Sequence, residues 1–386
     1  MKRKIIKVLS YVLVSLLSVA LTLGGVLLFM PKNSDTKLDE IEALVDKYFI
    51  EDPEMEGVYD AAADAMIQAL GDRWSYYMTA EEFADYKERM SNSYVGIGVT
   101  VELDGQKRGA KVLQVTAGGP AEAAGILAGD VICQADGTDF ANMELSAISQ
   151  IIKGAEGTTV QLTVIRGEEQ LQLTVERRSI QTAVATAEML EGNIGLVTIV
   201  NFDSRCYDET IAAIESLLEQ GAEKLIFDVR NNPGGYKREL VKILDYLLPS
   251  GLLFRSEYYD GTIKDDNSDD KCLEMPMAVL VNGSSYSAAE FFAAALMEYE
   301  WAHVVGTQTC GKGSFQTVYQ LSDGSAINLS YGKYYTPQGN SLIGVGILPD
   351  TVVEVEENVA SAIYAGTLDP MEDPQVLAAI AALQSE

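Results

Sequence analysis

Apolar positions in the first part of the chain recur at helical spacing, every three to four residues. The first such run is closed by Asp52–Pro53 and the second by Gly71. A third stretch opens at Thr79 with Glu82 three residues later, which is the pattern of a capping box. The pattern therefore predicts a small helical module over residues 36–92.

From Tyr94 the period of the apolar positions changes to two, which is typical of strands. "YVGIGVTVEL" predicts a glycine-punctuated strand, and a helix is expected near residues 144–153. Alternating apolar residues on the two sides of Gly167 predict a hairpin, with Val160, Leu162 and Val164 facing Leu171, Leu173 and Val175. These elements predict a compact β-rich domain over residues 94–178.

From Ile194 onward, strands and helices alternate. "IGLVTIVNF", "KLIFDV", "MAVLVN" and "HVVG" are predicted as buried strands joined by helices, which favours an α/β layered core. Ligands in such cores gather beyond the carboxyl ends of the strands, where "RNNPGG" and "NGSSYS" lie. The core is assigned to residues 179–358, and a helix over Pro374–Leu383 belongs to a C-terminal helical tail, residues 359–386.

The N-terminus has a different character. A basic stub, "MKRKIIK", precedes 23 uncharged residues, which is long enough to span a membrane as a helix with the lysines on the cytoplasmic side. Residues 1–31 are therefore predicted to be a transmembrane signal anchor, with the rest of the chain outside the cytoplasm. A cleaved signal peptide is the alternative, because "SVA" fits a small-x-small cleavage pattern.

Composition narrows the functional classes. Of 386 residues 47% are hydrophobic, which supports true cores, and the net charge of −29 argues against nucleic-acid binding. The four cysteines are widely spread without a CxxC pair, so their spacing favours neither a particular disulfide nor a zinc site. No metal and no organic cofactor are predicted.

Candidate chemistry centres on the stretch "NGSSYSAAEFFAAAL". Ser287 follows a polar turn and precedes a predicted helix, whose free N–H groups suit a developing oxyanion. Lys312 lies between two glycines 25 residues later, and Gln316 follows it by four. A lysine serves as a general base only when burial lowers its pKa, so desolvation has to prevail over the acidic surroundings. Gln316 would then orient the amine without adding charge.

Simpler interpretations exist for each of these residues. A serine before a helix is commonly only an N-cap, and a lysine between glycines is commonly solvated. "CGKGS" lacks the first glycine of a phosphate-binding loop. His303, the chain's single histidine, lies in an apolar strand, which favours a packing role over a role as the base of a Ser–His hydrolase. Asp228 and Arg230 are candidates for a simple ion pair.

Residues 94–178 resemble a PDZ domain. "GIGV" stands where that family has its carboxylate-binding loop, and "PAEAAGILAGDVI" matches its short helix and following strand. The resemblance implies that the backbone N–H groups of Gly96, Ile97 and Gly98 receive the terminal carboxylate of a peptide, which adds a strand to the sheet edge.

Residues 38–358 are similar to the C-terminal processing peptidases, or tail-specific proteases. "IFDVRNNPGG", "NGSSYSAAE", "VVGTQTCGKGSFQ" and "YYTPQGNSLIGVGILPD" match that family's motifs in order. The resemblance implies a crotonase-like core with Ser287 as nucleophile and Lys312 as base. It further implies that Gln316 orients the lysine, that Gly235 and Ala288 form the oxyanion hole, and that Glu290 is supporting. Tyr286 departs from the family, which usually has a small residue there.

Together these inferences predict a multidomain α+β protein with an N-terminal transmembrane helix, a helical module, a PDZ domain and a crotonase-like α/β protease core. The predicted function is a single-pass, membrane-anchored, extracytoplasmic serine endopeptidase that selects proteins with apolar C-terminal tails. The helical segments are compatible with a homodimer. The alternatives are a non-catalytic scaffold that binds C-terminal tails and a Ser–His hydrolase that uses His303.

Overall fold

The computed structural model of the protein describes residues 36–384, and Ser15 and Ser18 upstream of them. Apart from these two serines, the predicted membrane-spanning segment lies outside the described residues. Within the described residues, no helix is both long enough and apolar enough to cross a membrane.

The chain divides into two units, residues 1–62 and residues 63–386. In the first unit, helix α1 (Lys37–Tyr48) starts at a capping box in which Thr36 and Asp39 hydrogen-bond each other's backbone N–H. Helix α2 (Met55–Gln68) begins in this unit and ends in the second. Both predicted helices are confirmed, each beginning and ending within about three residues of the expected positions.

The second unit opens with strand β1 (Tyr76–Met78) and helix α3 (Ala80–Met90). The capping box predicted for α3 is confirmed, since Glu82 N–H donates to the Thr79 hydroxyl at 3.2 Å and Thr79 N–H to the Glu82 carboxylate at 2.9 Å. A purely helical module over residues 36–92 is wrong at β1, which pairs antiparallel with residues 326–328. The chain before the β-rich domain is thereby joined to a sheet formed much later in the sequence.

The β-rich domain follows. Its strands pair in the order β3–β4–β5–β7–β8 with β6 beside β5, and β2 and β9 form a separate ribbon. The predicted hairpin is confirmed, with Val160 opposite Val175 and Val164 opposite Leu171. The strand expected to run through Gly98 is interrupted there, because Gly98 has φ 79°. The elements are β2 (Ser93–Gly96), β3 (Val99–Leu103), β4 (Ala110–Val115), α4 (Pro120–Ala123), β5 (Val131–Ala135), β6 (Thr138–Asp139), α5 (Leu145–Ile152), β7 (Thr159–Arg166), β8 (Glu169–Glu176) and β9 (Arg178–Gln181).

The α/β core contains the remaining elements. They are β10 (Ala185–Leu190), β11 (Ile194–Ile199), α6 (Cys206–Glu219), β12 (Lys224–Asp228), α7 (Lys237–Leu247), β13 (Gly251–Tyr258), β14 (Ile263–Ser268), β15 (Met277–Val281), α8 (Ala288–Glu298), β16 (Ala302–Gly306), β17 (Ser314–Gln320), β18 (Ala326–Tyr335), β19 (Thr351–Val352), α9 (Glu357–Ala365) and α10 (Pro374–Gln384). A short 3₁₀ turn, Pro370–Glu372, lies between the last two helices.

The central sheet has the order β10–β11–β12–β15–β16–β19, in which β10 is antiparallel and the other neighbours are parallel. Each of the strands predicted in this core is confirmed, and fully buried side chains from α6, α7 and α8 pack with them into one apolar cluster. Helix α10 adds Val376, Ala379 and Leu383 to a second cluster with side chains from the central strands. This architecture brings the carboxyl ends of β12, β15 and β16 to one edge.

A second sheet, which the alternating pattern does not predict, has the order β1–β18–β13–β14 with β17 also paired to β18. Strand β17 begins directly after the lysine loop, and Tyr334 near the end of β18 is buried. This sheet supplies Tyr334, whose phenol donates to the Lys312 carbonyl.

Candidate active site

Ser287 lies at the turn between β15 and α8. Its backbone has φ 59° and ψ −123°, a conformation strained for a residue with a β-carbon, and its side chain makes no capping hydrogen bond with the helix. The turn is held by Ser285, whose hydroxyl donates to the Val229 carbonyl at 2.7 Å. Ser287 is therefore not an ordinary N-cap, and its geometry is that of the sharp strand-to-helix turns that present nucleophiles.

Gly234, in the loop after β12, lies directly against this turn. A β-carbon on Gly234 would be 2.7 Å from Cβ of Ser287 and 2.8 Å from N of Ala288, so only glycine fits. Within the described chain, neither Ala288 N–H nor Gly235 N–H donates a hydrogen bond to another group. Both predicted oxyanion donors therefore lie beside the serine turn and are uncommitted.

The shape of the glycine loop is fixed by a buried asparagine. The Asn232 side chain donates to the Ile199 carbonyl at 2.7 Å and accepts from Gly234 N–H at 2.8 Å. Gly235 has φ 150°, and a β-carbon there would lie 2.2 Å from the Phe202 carbonyl oxygen. The loop thus holds its backbone close to Ser287 without any side chain in between.

The main chain of Lys312 is anchored on both sides. Its N–H donates to the Glu290 carboxylate at 3.0 Å, and its carbonyl accepts from the Tyr334 phenol. The amine extends over aromatic rings, with Nζ 4.6 Å from the Trp74 ring centroid and 5.8 Å from that of Tyr286. Among the described side chains and backbone of residues 36–384, no group forms a hydrogen bond with Nζ.

Burial lowers the pKa of the Lys312 amine from 10.5 to about 8, because the ammonium form loses its hydration. The negative charge of Asp72, and next the Cys310 side chain, favours the ammonium form and acts in the opposite direction. Desolvation thus prevails over the acidic surroundings, as the sequence-based argument requires, and a substantial fraction of the amine is neutral at mildly alkaline pH.

Tyr334, with an exposed fraction of 3%, touches both candidate catalytic residues. Its phenol donates to the Lys312 carbonyl and is also hydrogen-bonded to the Ser287 hydroxyl. Because the phenol proton is committed to Lys312, the Ser287 hydroxyl is the donor in the second contact. Burial raises the pKa of Tyr334 well above its ordinary value, so the phenol stays neutral.

Glu290 connects the serine turn to the lysine loop through hydrogen bonds. It is fully buried and accepts from the Thr309 hydroxyl, from Gly311 N–H at 2.7 Å and from Lys312 N–H. Its carboxylate also accepts from the Ser287 N–H, as the third residue of a helix does in a capping box. Burial raises the pKa of Glu290, while these donors oppose the shift.

Gln316 does not reach the amine of Lys312. The register of β17 against β18 shifts between Phe315 and Gln316, and the Gln316 amide donates to the carbonyl and the hydroxyl of Ser314, each at 3.1 Å, and to the Ser330 hydroxyl at 2.9 Å. The Ser330 hydroxyl in turn hydrogen-bonds to Asp72. The link from Gln316 to Lys312 therefore runs through Ser330 and Asp72.

Sequence reasoning missed the segment before β1. The Trp74 ring centroid lies 4.6 Å from the Lys312 amine and the Asp72 carboxylate acts on it electrostatically, although 238 positions separate Trp74 from the lysine. The local signal, an aromatic cluster in "RWSYYM", marks a packed segment but does not say against what it packs. Only the pairing of β1 with β18 brings it to the site.

The other candidates have structural partners. His303 pairs with Ala278 near the amino ends of their strands, and its Nε2 lies 2.8 Å from the Thr351 hydroxyl. Arg230 is a buried ion-pair centre, 2.6 Å from Asp228 and 2.7 Å from Asp373. The simpler interpretation of the Asp228–Arg230 pair is thus confirmed, and His303 lies at the sheet end opposite to Ser287.

The predicted carboxylate loop lies at an open edge of the β-rich domain. Strand β3 is terminal in its sheet, and in the described structure the N–H groups of Ile97 and Gly98 have no hydrogen-bond partner. The carbonyls of the same residues are fixed by Ala121 N–H at 2.8 Å and Thr116 N–H at 3.0 Å. Gly96 is paired with Arg178 in the β2–β9 ribbon.

Comparison with known protein families gives matches for the β-rich domain and for the α/β core. Residues 193–353 match the model of peptidase family S41, and residues 94–176 match that of the PDZ domain. The PDZ match precedes the peptidase match along the chain, and the strained turn of Ser287 lies within the second. Residues 193–353 are thus similar to peptidase family S41, and the resemblance stated from the motifs is confirmed.

Two relatives of this chain carry the same name. The "Probable CtpA-like serine protease" of Staphylococcus saprophyticus is 31% identical over 82% of this chain, and that of Staphylococcus epidermidis strain RP62A is 32% identical over 82%. The matches span 65% of each relative, slightly less than two thirds of its length. The match to the crystal structure of the tricorn protease covers 81% of this chain and 31% of the tricorn chain. Its sequence identity is 17% and its TM-score 0.50, so the likeness is one of fold alone.

Proposed function

We propose that the protein is a membrane-anchored, extracytoplasmic serine endopeptidase that recognises C-terminal tails and cleaves with Ser287 and Lys312. The observation that carries the proposal is the strained turn of Ser287, which packs against Gly234 and adjoins the uncommitted N–H groups of Gly235 and Ala288. The match to the model of peptidase family S41 and the CtpA-like relatives support the peptidase activity.

In the proposed mechanism the neutral amine of Lys312 takes the proton of the Ser287 hydroxyl as its oxygen attacks the scissile carbonyl. For this the hydroxyl exchanges its contact with Tyr334 for one with Lys312. The N–H groups of Gly235 and Ala288 stabilise the oxyanion of the tetrahedral intermediate. The Lys312 ammonium then protonates the leaving amine, and a water molecule, activated by the same lysine, hydrolyses the acyl-enzyme.

Gln316 is proposed to act indirectly on the ammonium form of Lys312. Its amide holds the Ser330 hydroxyl, which hydrogen-bonds to Asp72, and the Asp72 carboxylate acts electrostatically on the lysine. The substrate tail is proposed to add a strand beside β3, with its terminal carboxylate on the N–H groups of the loop Gly96–Gly98. Residues 1–31 are proposed to anchor the chain in the membrane, leaving the PDZ domain and the core outside the cytoplasm.

A covalent probe tests the activity. A fluorophosphonate, which reacts with activated serines, is expected to label the wild-type protein at Ser287, as peptide mass spectrometry would locate. Ser287→Ala removes the label, whereas Ser284→Ala, an exposed serine of the same turn, keeps it. A scaffold that only binds tails is not labelled, so an unlabelled but folded wild-type protein would contradict the proposal.

A second prediction concerns the tail. An unfolded substrate that ends in an apolar peptide is expected to be cleaved with KM about 10–100-fold lower than the same peptide with an amidated C-terminus, since charged hydrogen bonds contribute about 1.5–3 kcal/mol. Steady-state kinetics on the matched pair would measure this. Equal KM values would remove the terminal carboxylate from recognition and leave the catalytic proposal intact.

A further inference from the structure

Two aromatic residues remain without a role in the proposed mechanism. The rings of Trp74 and Tyr286 stack, with centroids 5.7 Å apart and an angle of 30° between their planes. Tyr286 is the residue immediately before the nucleophile, at the position where the family usually has a small side chain. Trp74 comes from the distant segment before β1, so the stack joins that segment to the serine turn.

Lys312 reaches this stack with its charged end. Its Nζ lies 4.6 Å from the centroid of Trp74 and 5.8 Å from that of Tyr286, within the range of cation–π contacts. No hydrogen-bond partner for Nζ exists in residues 36–384, and the predicted partner Gln316 is engaged by serines. The closest contacts of the amine that the structure gives are therefore ring faces.

We infer that Trp74 is a positioning residue for Lys312, whose ring face holds the amine beside Ser287 and keeps water away from it. This inference rests on the proposed Ser287–Lys312 function. A carboxylate in this place would keep the lysine protonated at rest and unable to act as a base. An aromatic face excludes water from the neutral amine, and still interacts favourably with the ammonium that forms when Ser287 loses its proton.

The other groups around the amine act by charge or by hydrogen bonding. Asp72 carries a negative charge near Nζ, and the Cys310 side chain acts on Nζ in the same direction. The Arg73 guanidinium is a cation 4.4 Å from the centroid of the Trp74 ring. The remaining groups, which fix the main chain or line the site as neutral or buried groups, are Tyr286, Tyr334 and Glu290. Among them only Tyr286 shares with Trp74 a ring that faces the amine.

The pH dependence of kcat/KM tests the role of Trp74. Trp74→Ala admits water to the amine and is expected to move the acid limb to higher pH, with activity at pH 7 falling about tenfold for each pH unit moved. Activity on the alkaline plateau falls much less. Trp74→Phe keeps a ring over the amine and retains most of the wild-type profile, and Tyr319→Ala, which removes an exposed aromatic of β17, leaves it unchanged.

A loss that is equal at every pH, or a Phe variant as impaired as the Ala variant, would mean that Trp74 only supports the fold. Such a result would overturn this inference while Ser287→Ala and Lys312→Met still abolish cleavage. If instead Lys312→Met cleaves normally, the proposed function itself fails.

Fluorescence gives a second test that leaves Trp74 intact. The chain has two tryptophans, so Trp301→Phe makes Trp74 the single emitter. Since an ammonium near an indole quenches its emission, the intensity is expected to rise with pH through a midpoint near 8, the pKa of Lys312. Lys312→Met in the same background abolishes the step, and a step of the same size in both proteins would overturn the inference.

Discussion

Replacing Lys312 by methionine is expected to lower kcat/KM by a factor of roughly 10²–10⁴, since a positioned general base contributes that much. Methionine has a similar length and no titrating group, so the loss measures the amine itself. Hydrolysis of an unfolded protein substrate would be followed at pH 8. A variant that retains more than about a tenth of wild-type activity would exclude this lysine as the base.

The same substitution is expected to stabilise the fold. The pKa of Lys312 falls from 10.5 to about 8, so below pH 8 the folded chain carries a poorly hydrated ammonium. This cost is fully present below pH 8 and disappears as the pH rises to 10.5, because the folded amine loses its proton first. Lys312→Met is thus expected to raise the free energy of unfolding by about 1–3 kcal/mol at pH 7, and by less at pH 10.

Chemical denaturation at the two pH values would measure both terms. Lys333→Met provides the matched control, since Lys333 is an exposed lysine in the neighbouring strand β18. It is expected to change neither activity nor stability appreciably. If Lys333→Met stabilised the protein as much as Lys312→Met, the gain would come from general charge reduction and not from burial of the active-site amine.

Local patterns predicted the parts of the site that local geometry builds. The strand-to-helix turn of Ser287 and the glycine loop after β12 both follow directly from buried strands, and their chain neighbours determine their position at the sheet edge. The sequence also indicated the conformation of the glycine loop, because "NPGG" offers backbone without side chains where Phe202 and Ser287 come close. These features needed no knowledge of distant residues.

The second sheet could not be predicted in the same way. Strand β14, "IKDDNS", has mostly polar and exposed side chains and therefore no apolar alternation that identifies it as a strand. Its pairing with β13 depends on backbone hydrogen bonds between neighbouring segments. The position of β1 depends on a contact with β18 about 250 residues away, which no window of the sequence contains.

The role of Gln316 shows the same limit at one residue. Its spacing from Lys312 suggested a direct contact, and the family resemblance reinforced that expectation. A β-bulge between Phe315 and Gln316 changes the register, and Gln316 pairs with Ser330. Bulges of this kind arise from the fit of two strands, so the spacing of four residues did not determine which way the side chain points.

Glu290→Gln is expected to slow catalysis nearly as strongly as the replacement of a residue that contacts Ser287 directly. The Glu290 carboxylate accepts from the Thr309 hydroxyl and from three backbone N–H groups, those of Ser287, Gly311 and Lys312. Glutamine offers one acceptor oxygen and an NH₂ group, which would face at least one of these donors without a partner. Leaving a buried donor unpaired costs about 1–3 kcal/mol.

Because two of those donors belong to the candidate catalytic residues, the damage is expected in kcat, about 10–100-fold, with a smaller change in KM. The free energy of unfolding falls by about 1–3 kcal/mol. Glu215→Gln, on the exposed face of α6, makes the same chemical change without effect on either quantity. Full activity in a folded Glu290→Gln protein would mean that the serine turn and the lysine loop keep their relative position without the carboxylate, and that Tyr334 alone couples them.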